Sequence, residues 1–248
     1  MAQAPAKVYA AGSLRSALTT AAAAFRAEGG GDVAFEFGPS GLLRDRLAHG
    51  GHADAFASAN MEHPRSLVQL GMAKQAQLFA RNRMCALARE RTGVTTKNLL
   101  ERMLHPAVKL GTSTPRADPS GDYAWEVFKR AERVRPGSYE MLSRKAIALV
   151  GGPESPDPPP GRSLYAMLIA DGRADIFLTY CTNTQAAARE DPSLMSIDVP
   201  EELAVRAEYG IAVLNEAGAV GRGFAQFLLG AGGRRVLANE GFDPPAGR

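Results

Sequence analysis

The sequence predicts an α/β protein of two lobes, each a mainly parallel sheet flanked by helices, with the chain crossing twice between them. Three observations carry this. Short apolar runs alternate with segments of helical period from residue 7 to residue 58, a β-α-β-α-β order that calls for parallel strands covered by helices. A polar break, Arg81-Asn82-Arg83, interrupts an extended run over 77–88. After that break the same grammar begins again, and a late apolar run over 207–214 returns the chain to its first lobe. These crossings divide the chain into lobe 1, residues 1–81 and 207–248, and lobe 2, residues 82–206.

Each element follows from its pattern. Residues 7–11 read as a strand, and 14–28 as a helix with apolar positions at Leu14, Leu18, Ala21, Ala22 and Phe25, stopped by Gly29-Gly30-Gly31. Val33, Phe35 and Phe37 alternate as a strand within 32–37; a helix follows over 42–48, and 55–58 is a brief strand. Helices are expected near 64–70, 98–104, 123–132 and 139–149, with a strand at 109–111. The proline-rich stretch 151–161 is a surface loop. A helix over 164–171, strands over 175–180 and 207–214, and closing helices over 222–229 and 233–239 complete the chain.

Composition narrows the function. The 248 residues are 45% hydrophobic and 22% charged, enough to bury one large core or two of ordinary size. The formal charge of +3 lies in short mixed-sign stretches such as Lys129-Arg130-Ala131-Glu132-Arg133, so no basic stripe points to nucleic acid. No apolar run is long enough to span a bilayer. The two cysteines, Cys85 and Cys181, lack the spacing of a zinc or redox motif and fit either two buried thiols or one disulfide in an oxidising compartment. Ala2-Gln3-Ala4 is similar to the small-residue stub beside a leader cleavage site, so a mature, exported form whose leader was replaced by Met1 is expected, with a native cytoplasmic start as the alternative.

Four turns between an apolar run and a helix-like segment carry a serine: Ala10-Ala11-Gly12-Ser13-Leu14, Gly38-Pro39-Ser40-Gly41-Leu42, Ala57-Ser58-Ala59-Asn60 and Asp118-Pro119-Ser120-Gly121-Asp122. At a helix start the first N–H groups have no intrahelical acceptor, the dipole end is positive, and a hydroxyl can turn to a ligand. Several such ends together make a neutral donor nest for an oxyanion.

Taken in order, Val8-Tyr9-Ala10-Ala11-Gly12-Ser13-Leu14, Phe37-Gly38-Pro39-Ser40-Gly41, Ala53-Asp54-Ala55-Phe56-Ala57-Ser58-Ala59, Pro119-Ser120-Gly121-Asp122-Tyr123-Ala124, Gly172-Arg173-Ala174-Asp175-Ile176-Phe177-Leu178-Thr179-Tyr180 and Gly241-Phe242 resemble the periplasmic molybdate-binding proteins of ABC importers over almost the whole chain. The resemblance implies a type II periplasmic-binding-protein fold whose two lobes close on one tetrahedral dianion, with molybdate or tungstate as ligand, no cofactor, a membrane permease as partner, a monomeric state and a periplasmic location. It implies hydroxyl donors from Ser13 and Ser40, the backbone amide at Ser120, and the phenol of Tyr180. The remaining amide contact falls at Arg162 by ungapped spacing from Tyr180. Hinges are expected near 81–83 and 203–207.

This chain departs from the family in two places. Arg162 stands where the family has a small apolar residue, and Tyr180-Cys181-Thr182-Asn183 replaces Tyr-x-Ser-Asp. A guanidinium in the site would add a fixed charge and a planar fork of donors, favouring a larger or organic anion. Ser58 matches no ligand contact and reads as a cap. His49 and His52 flank flexible glycines without a third ligand nearby, so no metal site is expected there. Gly38-Pro39-Ser40-Gly41 is similar to a nucleophile elbow but lacks the second glycine, and no late histidine supplies a base, so no enzyme is expected. A sensor domain on the same fold is the remaining alternative, although no helix-turn-helix precedes Lys7.

Overall fold

The computed structural model describes residues 4–156 and 161–245. Contacts divide it into two compact units, Met1–Asn82 with Ala207–Arg248, and Arg83–Arg206. The expected leader stub at residues 2 and 3 and part of the proline-rich loop lie outside the described residues. Among the described residues no helix is long and apolar enough to cross a membrane.

In the first unit, β1 (Ala6–Ala11), β2 (Val33–Gly38), β3 (Ala55–Ser58) and β9 (Arg206–Leu214) form a sheet in the order β2-β1-β3-β9, continued by β4 (Ala73–Arg89). The pairs β1–β2 and β1–β3 are parallel and β3–β9 is antiparallel. Five helices, α1 (Arg15–Ala27), α2 (Ser40–Ala48), α3 (Glu62–Gln69), α9 (Ala219–Leu229) and α10 (Ala231–Asn239), cover it. Tyr9 and Phe56 pack with Leu43 and Leu47 of α2 and Leu67 of α3. Elsewhere in the unit, Phe25 of α1 meets Phe224 of α9 edge to face at 5.6 Å, and Phe35 of β2 meets the same ring at 5.8 Å. β1 is buried on both faces, as a strand between two helical layers must be.

The second unit is also mixed. β5 (Leu110–Ser113) is parallel to β6 (Ile147–Val150) and β7 (Ile176–Tyr180), while β4 runs antiparallel to β7 and to β8 (Leu194–Asp198). The helices are α4 (Leu99–Leu104), α5 (Pro119–Val134), α6 (Ser138–Lys145), α7 (Leu164–Ala170) and α8 (Cys181–Glu190). α5 buries Ala124, Val127, Phe128 and Ala131 at helical spacing. Leu87, Phe177, Leu168, Ile169, Ala187 and Leu194 form the core beneath α7 and α8.

The structure corrects several expectations. The polar break at 81–83 does not interrupt the strand: β4 is one strand of 17 residues. Its polar side chains are satisfied in place, because Arg81 pairs with Glu208 at 2.9 Å, its N–H donates to the Asp243 carbonyl, and the Arg83 side chain lies 3.5 Å from Asp198. The helix expected over 139–149 ends at Lys145, and Ile147–Val150 becomes β6. β6 pairs with β5 in the named sheet order at its outer position, so its outward apolar residues remain partly exposed and do not alternate cleanly. α8 and β8 had no counterpart in the sequence reading. The open question of the cysteines is answered: Cys85 on β4 and Cys181 at the start of α8 form a disulfide across a sequence separation of 96 residues.

Candidate anion site

Three of the four serine turns sit at one edge of the first unit's sheet. β1, β2 and β3 are parallel, so the turns after Ala11, Gly38 and Ser58 share its C-terminal edge, where open α/β sheets bind ligands. Ser13 lies in a single 3₁₀ turn after β1, and its hydroxyl is 2.9 Å from the Tyr209 hydroxyl of β9. Tyr209 is itself fully buried, its ring edge-on to Phe79 and Phe242. Ser40 is the first residue of α2 and fully buried, and its hydroxyl accepts the Ala59 N–H at 3.2 Å. The first intrahelical-type bond of α2 runs from Leu43 N to Pro39 O, which leaves the earlier N–H groups of that helix at the same edge.

The third turn closes on itself. The Ser58 hydroxyl donates to Asn60 Oδ1 at 3.0 Å and accepts the Asn60 N–H at 3.2 Å, while Asn60 Oδ1 also receives the His63 N–H at 3.0 Å. Ser58 thus orders the turn leading into α3.

In the second unit, the turn between β5 and α5 holds the fourth serine. Asp118 is the N-cap of α5, with proline following it, and its side chain accepts the Ser120 N–H at 3.0 Å. That amide, one of the expected anion donors, is therefore already bonded within the unit. The hydroxyls of Ser120 and Thr112 are buried and have no hydrogen-bond partner among the described residues. Burial pushes the Asp118 carboxyl up to about 6, offset by the Ser120 N–H and the Ser113 hydroxyl, while Asp122 adds to the rise. The turn is tight: a Cβ on Gly121 would lie 2.6 Å from Pro115 N and 2.7 Å from Ser113 O, so only glycine lets α5 start this close to β5.

Tyr180 ends β7, is 2% exposed, and occupies the N-cap position of α8 without a side-chain cap bond. Its ring meets Tyr123 of α5 edge to face at 6.2 Å. The residues that depart from the family pattern have defined contacts here. Cys181 is in the disulfide, and the Asn183 amide donates to Thr179 Oγ1 at 3.0 Å and to the Tyr165 hydroxyl at 3.1 Å. The Arg162 side chain is 59% exposed, and its Nε donates to Glu190 at the end of α8 at 2.5 Å. That contact holds the Glu190 carboxyl below its ordinary range.

His49 and His52 form no shared centre, because His49 Nδ1 is 2.7 Å from the Asp45 carbonyl and His52 faces Glu216 at 3.8 Å. Cys85, Cys181 and Asp198 lie close enough for a metal, but the cysteines are joined as a disulfide and offer no thiolate. Sequence reading missed Asp118 and Tyr209. The Asp-Pro-Ser cap signature of Asp118 was legible; Tyr209 meets Ser13 across 196 residues, with no local signal.

The chain belongs to the bacterial extracellular solute-binding protein family, which it matches over residues 6–243. It is 39% identical over 209 residues to the Pasteurella multocida protein PM1146, covering 83% of this chain and 86% of that one. It is 28% identical over 251 residues to the molybdate-binding protein ModA of Mycobacterium bovis, covering 96% and 84%. Among solved structures, the Azotobacter vinelandii periplasmic molybdate-binding protein superposes with a TM-score of 0.74 at 15% identity, covering 97% of this chain and 99% of that one. The sulfate-binding protein SubI of Mycobacterium tuberculosis superposes with a TM-score of 0.77 at 16% identity, covering 98% and 88%. The fold is that of the type II periplasmic binding proteins. The family is one of extracellular solute-binding proteins, so a solute is its ligand.

Proposed function

We propose that this protein captures molybdate, with tungstate accepted almost equally, and delivers it in the periplasm to the permease of an ABC importer. The observation that carries this reading is the row of neutral hydroxyl and amide donors at the ends of β1, β2 and β3, with Ser13 and Ser40 foremost. In this reading Tyr180 and the Ser120 turn are the anion donors of the second unit. Neutral donors suit a tetrahedral dianion, because they replace its hydration without a fixed countercharge. The likeness to a molybdate-binding ModA supports the choice of anion, and the disulfide supports an oxidising compartment.

Arg162 has no part in this reading. The pairing of its side chain with Glu190 favours the small oxyanion over a larger organic anion. Sulfate is the competing ligand of the same charge and shape, and cavity size decides between the two. Dissociation constants for molybdate, tungstate, sulfate and phosphate, measured on ligand-stripped protein through the fluorescence of Trp125, test the assignment. Molybdate and tungstate binding at least tenfold tighter than sulfate supports it; sulfate or phosphate binding tighter overturns it.

A further inference from the structure

The Ser120 amide is asked to serve two acceptors. Within the second unit it donates to Asp118 Oδ1 at 3.0 Å, and in the proposed function it donates to the anion. One N–H serves one acceptor well, and a carboxylate beside a bound dianion is a like-charge pair at a single helix start. The Asp118 side chain has little room to retreat, since a Cβ on Gly151 would lie 2.5 Å from Asp118 Cβ. The buried hydroxyls of Ser120, in the first turn of α5, and of Thr112, on β5, have no partner among the described residues.

We propose that Asp118 competes with the anion for the Ser120 N–H and becomes the neutral acid when the anion binds, so that each anion is taken up with one proton. The inference rests on the proposed function and adds a regulation to it. The proton comes from solvent and ends on an Asp118 carboxyl oxygen; no other bond is made or broken. As the acid, Asp118 loses the charge that strengthens its hold on the amide and gains an O–H that can donate to the anion.

The groups facing Asp118 favour this direction. Asp122, on the same helix, adds negative charge, and the Tyr165 phenol of α7 is itself pushed up by burial and by Asp118. Ser113 of β5 and Gly151, after β6, contribute no charge. The carboxyl is already raised to about 6 before any anion arrives, and a neighbouring dianion raises it further. Above that pH, binding draws a proton and weakens by up to roughly tenfold per pH unit.

The test is calorimetric titration with molybdate at about pH 6.5, 7.5 and 8.5, in buffers of different ionisation enthalpy, on the wild type and on Asp118→Asn. Asparagine keeps a cap oxygen and removes the charge. The expected result is uptake of about one proton by the wild type at the higher pH values, with affinity falling as pH rises. Asp118→Asn is then expected to bind without proton uptake, at constant affinity, and about tenfold or more tighter than the wild type near pH 8.5. Molybdate binding by the wild type without proton uptake overturns the proposal and leaves the proposed function standing. No binding of molybdate by folded wild type at any pH overturns both. Should Asp118→Asn fail to fold, the wild-type proton count alone decides.

Discussion

The Ser40 hydroxyl accepts the Ala59 N–H at 3.2 Å, tying the turn after β2 to the turn after β3. The bond holds a fully buried hydroxyl at the first position of α2 and fixes the direction in which its proton is free to point. Ser40→Ala is expected to weaken molybdate binding by roughly tenfold to a hundredfold and to lower stability by about 1 kcal/mol. Calorimetry and a denaturant melt on the same variant separate the two effects. Unchanged affinity removes Ser40 from the site.

Tyr209 acts on the same edge through Ser13, whose hydroxyl lies 2.9 Å from its own. Tyr209→Phe keeps the ring between Phe79 and Phe242 and deletes only the hydroxyl. Affinity is expected to fall about threefold to tenfold, a loss smaller than that of Ser13→Ala. An affinity equal to the wild type would mean that Ser13 needs no orientation.

Arg162 makes the opposite prediction. Its guanidinium is exposed and engaged with Glu190, so Arg162→Gln is expected to leave molybdate affinity within about twofold of the wild type. A tenfold loss in a titration of this variant would return the arginine to the binding site.

The disulfide joins β4 to the start of α8, one residue after Tyr180, and both cysteines are buried. Closing a loop of this length restricts the unfolded chain, and in the chain-entropy account its removal costs up to about 4–5 kcal/mol. Thermal melts with and without reductant are expected to show the reduced protein unfolding at markedly lower temperature, as is Cys85→Ala/Cys181→Ala. Coincident melts would show that packing alone secures the second unit.

Two buried groups set opposing pH dependences on stability. Asp118 has its carboxyl raised to about 6, so the folded protein holds that proton more tightly than the unfolded chain. Its contribution is fully present at pH values below the ordinary carboxyl range and is lost as pH rises through 6. His63 is buried, and desolvation, with Arg44 next in effect, lowers its pKa, so the unfolded chain takes the proton first and stability is lost as pH falls through 6.5. Denaturant melts near pH 5 and pH 7.5 are expected to show Asp118→Asn losing the first effect, on the order of 1–2 kcal/mol, and His63→Leu losing the second. Parallel pH profiles for the variants and the wild type would contradict both assignments.

Local patterns carried the parallel strands and the serine turns, because alternation, helical spacing and small turn residues are properties of a few consecutive positions. Val33, Phe35 and Phe37 announced β2, whereas α2 starts at Ser40, two residues before the start that the apolar spacing predicts. The missed elements depend on distant partners. β8 exists because Cys85 to Arg89 of β4 pair with it, and Leu194-Met195-Ser196-Ile197-Asp198 alone alternates too weakly to show that. β4 runs through Arg81-Asn82-Arg83 because Glu208 and Asp243, more than a hundred residues away, satisfy its polar groups. The site followed the same rule: serines at turns were legible, whereas the tyrosine behind Ser13 and the engagement of Arg162 with Glu190 were set by tertiary pairing.

The most direct test of the central claim is calorimetric titration of molybdate into ligand-stripped wild type and into Ser13→Ala/Ser40→Ala, with folding of both verified by melt. The account expects one-to-one binding by the wild type and a loss of more than about a hundredfold in the double variant, since two donors to a charged ligand are removed together. Equal affinity in the two proteins, or no molybdate binding by the folded wild type, would contradict it.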